Sequence, residues 1–368
     1  MITWLKRSRQ TRTPVHDQSA QREECRSGLR LAYQTLAAGQ LISQLLLWLV
    51  LYGYEPLKHT LWQAALMLCL PALLLWLTWR LPTKTGPRSP RAGFGLLLLP
   101  CLILDGYLLM LASCSLMSYM IPAFPLWIQL ATVSLFPLLT LWVSGKNGVA
   151  YGAYTLRFLL LALFILITLS TVGSATPKAL WPLLGDGLPK TALAALGGAG
   201  ACWGIGLVYL LPQEASAPNA PAKGRQRPGG GLFVWLPMVL CLLWALWMSL
   251  LCPWRPGEAL SVGQRMAASS RHSSLILLGE AGALFWMLLL PVSQLGTLHA
   301  GARLLQAVMP KAPQRLWPFV LLLPSIAGVY FSPSEALPFI APLLPWRFAL
   351  SALCGLCLWF AAKKEGGI

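Results

Sequence analysis

The stretch LAALGGAGACWGIGLVYLLP, residues 193–212, is continuously apolar, yet five of ten consecutive positions are glycine: Gly197, Gly198, Gly200, Gly204 and Gly206. An uncharged apolar run of about 20 residues is what a helix needs to cross a bilayer. Each interior glycine costs such a helix roughly 1 kcal/mol relative to alanine. Two readings account for glycines in that place. Small residues let membrane helices approach closely, and Gly200 and Gly204 form a GxxxG. Alternatively the helix is broken, and its free backbone N–H and C=O groups face a solute in a protein-lined cavity.

The rest of the chain has the same solvent in view. It has 368 residues, 57% hydrophobic and only 11% charged, against about 25% charged in a soluble domain. Leucine-rich blocks of span length recur along it, and they are continuously apolar rather than alternating, which excludes a porin-type barrel. The fold class is an all-α polytopic membrane protein. Ten spans are expected, at roughly 33–54, 60–79, 93–119, 124–143, 151–173, 188–211, 232–251, 275–298, 316–331 and 338–361. They follow a basic tail (1–32) and precede a short C-terminus (362–368). The tail lacks an apolar segment with a small-residue cleavage site, so no cleaved signal peptide is expected.

The formal charge of +17 points to membrane orientation and not to nucleic acid, because the basic residues flank the spans. Twenty Lys and Arg fall in the two termini and alternate loops, including Lys146 between spans four and five and Arg303 between spans eight and nine. Six fall on the other face. Both termini are therefore expected in the cytoplasm. Tryptophans at span ends, Trp127 and Trp142 among them, fit an aromatic belt at the interface. The nine cysteines form no framework, and the CxxC of Cys354 and Cys357 lies on an apolar helix, where packing is the ordinary reading.

Span six opens the second half of a ten-span chain. In a five-plus-five inverted repeat (about 33–173 and 188–361), it corresponds to span one. Those two carry the breaks in LeuT-like folds. Span one holds Gly39, Gln40, Ser43 and Gln44.

The segment TPKALWPLLGDGLPKTALAALGGAGACWGIGLVYLLP, 176–212, resembles the spore germination permeases, the B subunits of endospore nutrient germinant receptors. Leu180, Pro182, Leu183, Leu184, Gly185, Gly187, Gly198 and Pro212 stand at the places of that family's extracellular motif and glycine-rich sixth span. LGEAGALFWMLLLPVSQLGTLHAGARLLQAV, 278–308, is similar to its eighth span. The family is itself similar to the amino acid–polyamine–organocation transporters. The resemblance implies a non-enzymatic membrane subunit in the spore inner membrane or cell membrane, acting with receptor A and C subunits. It would bind a small, amino acid-like nutrient between spans one, three, six and eight to trigger germination. Gly197, Gly198, Gly200 and Gly204 would offer backbone groups, and Trp203 would cover an apolar part of the ligand. A secondary transporter for amino acids or polyamines is the alternative. A structural membrane subunit without a ligand is a second one.

Four ionisable residues fall within spans: Asp105, Arg157, Glu280 and Arg347. Each costs about 2.5–3.5 kcal/mol at a helix centre, so each needs a partner or water. Asp105 and Glu280 are candidates for contact with ligand or ion as much as for a structural pair. Arg347 suits either acid, and nothing in the sequence chooses between them. Arg157 lies near a span end, where it can snorkel. Gln294, Thr297 and His299 are weaker candidates, read first as helix contacts. No nucleotide, metal or nucleophile motif occurs, so no cofactor, metal or catalytic residue is expected.

Overall fold

The computed structural model describes residues 96–174, 280–309, 316–331 and 343–364, with nine isolated residues between 189 and 250. Among them every regular element is helical. A 3-10 turn (Leu96–Leu98) leads into α1 (Leu99–Met120), followed by α2 (Leu126–Thr171), α3 (Ala281–Val308), α4 (Trp317–Phe331) and α5 (Leu343–Lys364). Among the described residues, three stretches are long and apolar enough to cross a membrane: Leu96–Met120, Leu126–Val143 and Ala281–Gln306. The described part is thus that of a helical integral membrane protein. Spans one and two, most of six and seven, and the basic tail lie outside the described residues.

Among the described helices, α3 has the most buried span. It packs against α1, α2 and α4, and α4 in turn lies against α1. Its span is 78% buried, against 22% for Leu126–Val143 of α2. A core of Met110, Leu130, Leu298, Leu305, Leu322 and Val329 joins the four helices. The outer surface is apolar as well: Trp127, Leu135, Phe136, Trp142, Val143 and Leu169 are all exposed. Lipid tails solvate such a surface, so an apolar exterior costs nothing there. Trp127 and Trp142 stand outside, as an interfacial belt requires.

With no hydrophobic force to press helices together in lipid, close approach rests on small residues, and three glycines supply it. A Cβ built on Gly106 of α1 would come within 2.9 Å of Ser325 Oγ on α4. One on Gly328 of α4 would come within 2.7 Å of the Tyr107 ring on α1. One on Gly301 of α3 would meet the end of Leu321 on α4 at 2.5 Å. Glycine thus acts as a packing residue in the described bundle. The cluster at 197–206, for which the same two readings compete, lies outside the described residues.

The turn between α1 and α2 is built from IPAFP, 121–125. The Ile121 N–H closes α1 on Met117 O at 2.7 Å, and Pro125 caps α2. Buried Gln129 ties the turn down, donating to Phe124 O at 2.8 Å while its Oε1 accepts from Ser118 at 3.0 Å.

Two boundaries differ from the sequence expectation. The segment SGKNG, 144–148, is expected to be a loop holding Lys146, but α2 runs through it as one helix of 46 residues. At 1.5 Å per residue that is about 69 Å, more than twice a hydrocarbon core of about 30 Å. The chain does not reverse at Lys146, so the alternation of faces that the basic-residue count uses is not present at this point. The second difference is α3, which continues ten residues past the expected end of span eight. His299 and Gln306 are buried within it, and Arg303 belongs to the helix and not to a loop. Helices α1, α4 and α5 fall within a few residues of spans three, nine and ten, and α5 continues to Lys364, three residues past the expected end.

Candidate functional site

Several hydroxyls in the described helices satisfy themselves. Ser113, Thr132, Thr140, Thr168 and Ser293 each donate to the carbonyl four residues earlier, at 2.8–2.9 Å. In lipid this back-bonding removes the penalty of a bare hydroxyl. It also removes these residues from the candidates. What remains is the set of groups that reach beyond their own helix.

Asp105 is the chief of these. It occupies the second turn of α1, and α5 brings Arg347 against it. The Arg347 guanidinium forms an ion pair with the Asp105 carboxylate, and both side chains are 2% exposed. The same contact draws in Cys101, one turn earlier on α1, whose Sγ donates to Arg347 O at 3.8 Å. This decides the pairing that the sequence leaves open: Arg347 partners Asp105 and not Glu280. Two charges of opposite sign removed from water together lower the insertion cost of each.

Glu280 takes a different position. It stands exposed at the start of α3, where the Tyr119 hydroxyl donates to its Oε1 at 3.5 Å. That distance is at the outer limit of a hydrogen bond. The contact joins the C-terminal end of α1 to the N-terminal end of α3. Asp105 and Glu280 are therefore separate features of the bundle, one sealed and one open.

Helix α3 carries a further polar series: Gln294, Thr297, His299 and Gln306, all buried. Gln294, Thr297 and Gly301 follow the three- and four-residue spacing of one face. His299 and Gln306, seven apart, share another. On α4, Ser325 Oγ lies 3.4 Å from Ile103 O of α1 and 3.5 Å from Leu321 O of its own helix. Arg157 is held over the Phe158 ring, 4.5 Å from its centroid, a cation–π contact that suits a structural role.

Of the residues expected at a ligand site, Asp105 and Glu280 are described, and the structure keeps them apart. Gly39, Gln40, Gly197, Gly198, Gly200, Trp203 and Gly204 lie outside the described residues. Ser325 joins the groups that reach beyond their own helix only in the folded chain, although the sequence carries a signal for it. The signal was its spacing: Ser325 and Gly328 put two small residues on one face of the apolar helix α4.

No family model matches the chain, and no curated protein matches it.

Proposed function

We propose that this chain is the membrane subunit of a nutrient receptor of the spore germination type. It would bind a small amino acid-like solute within its helical bundle and signal through A and C partner subunits. The observation that supports a solute-handling role is the Asp105–Arg347 pair. Well-packed apolar side chains commonly replace a buried ion pair with no loss of stability. Charges kept at membrane depth face the bundle interior, and they mark solute and ion pathways. The likeness of 176–212 and 278–308 to the germination permeases supplies the solute class.

A secondary transporter is the second reading, and the same pair favours it. A carboxylate that trades its arginine for a coupling ion or an ammonium group is a ready switch between two states. Accumulation of solute against a gradient by the chain expressed alone separates transport from sensing.

The experiment is thermal unfolding of the purified full chain with a panel of amino acids, nucleosides and sugars. A ligand bound to the folded state raises stability by RT ln(1 + [L]/Kd). A rise with one small nutrient that Gly200→Leu abolishes supports the receptor reading. No rise across the panel with a stable protein contradicts autonomous binding and returns the glycines to packing.

A further inference from the structure

At the crossing of α1, α3 and α4 the helices enclose a small cavity of about 10 Å³, lined by Gly106, Gln294, Thr297, Ser325 and four leucines. That volume admits about one water molecule. Gly106 creates it in part, since a Cβ there would press on Ser325. Gln294 is 1% exposed, and its Nε2 has no protein acceptor among the described residues. A buried amide donor left in that state destabilises the fold by the full cost of its desolvation.

The chemistry of the lining selects the occupant. Gln294 Nε2 offers hydrogens to it. The Ser325 hydroxyl directs its own hydrogen toward a backbone carbonyl, Ile103 O or Leu321 O, and so presents lone pairs to the cavity. A molecule that accepts from one side and donates to the other is required. A bare cation fails the first condition and an anion fails the second. We propose that this cavity is a hydration site, holding one water that bridges Gln294 on α3 to Ser325 on α4 beside Gly106. Gly106 follows Asp105 directly in α1, so the site would extend the polar centre of the bundle from the ion pair to the α3–α4 contact.

X-ray radiolytic hydroxyl labelling with mass spectrometry tests this on the full chain in detergent. Radicals form from bound water, so buried side chains beside such a water are oxidised. Leu298 and Leu322 line the cavity and are both buried. The proposal predicts oxidation of one or both in the wild type, falling to background in Gln294→Met or, should that variant misfold, in Ser325→Ala. Wild-type protein with both leucines unmodified would overturn it. So would a rise in melting temperature for Gln294→Met, because loss of a truly unpaired donor stabilises. A sodium-dependent rise in the wild type that vanishes in Gln294→Met would overturn it in favour of a cation.

Discussion

Asp105 in α1 and Arg347 in α5 close a buried ion pair between helices far apart in the chain. Removing one partner leaves an unpaired charge at membrane depth. Arg347→Met is expected to destabilise the folded chain by about 3–5 kcal/mol. The double variant Asp105→Leu, Arg347→Met should recover most of that loss. Unfolding in mixed micelles, run as a double-mutant cycle, reads the coupling directly.

The close contacts of α4 differ in how much they yield. Gly328 faces a Tyr107 ring carbon, whereas Gly301 faces the free end of Leu321. A ring moves as a rigid plate and a leucine end can rotate. Gly328→Ala should therefore cost about 1–3 kcal/mol, and Gly301→Ala less despite its shorter contact. Tyr107→Ala introduced with Gly328→Ala should relieve the clash.

The unbroken α2 makes a sharp claim at 144–150. A loop would accept proline at Val149, but a helix interior loses about 3 kcal/mol to it. Val149→Pro should lower the melting temperature clearly. A neutral outcome would restore the turn that SGKNG implies.

Glu280 is exposed, and among the described residues its carboxylate accepts one long contact, from Tyr119. Glu280→Gln should change stability by no more than about 0.5 kcal/mol. A fall in solute response in that variant would then report on binding and not on folding.

What the sequence disclosed follows from what each signal measures. Spans three and nine are long, predominantly apolar runs, preceded by a basic residue and followed by Pro, and α1 and α4 match them. The end of α3 was misplaced because HAGARLLQAV, 299–308, contains Arg303 and Gln306 and reads as the polar edge of a span. Its burial depends on α4 lying against Gly301, a tertiary fact. The continuity of α2 was hidden by SGKNG, whose local turn chemistry is overridden in the fold. Asp105 was legible as a charge in need of a partner. That Arg347 and not some other group supplies it depends on how α5 docks, and hydropathy carries no such information. Gln294 stands out in the sequence as an amide at membrane depth and Ser325 does not, since a lone serine in an apolar helix ordinarily bonds its own backbone.

The most direct measurement is the solute response of the apolar double variant Asp105→Leu, Arg347→Met. It removes both charges together and so leaves neither one stranded. The purified wild type and this variant would be melted against the nutrient panel side by side. The account predicts a nutrient-dependent rise in melting temperature for the wild type and none for the variant, although the variant folds. An equal rise in both would contradict it and make the ion pair a packing device alone.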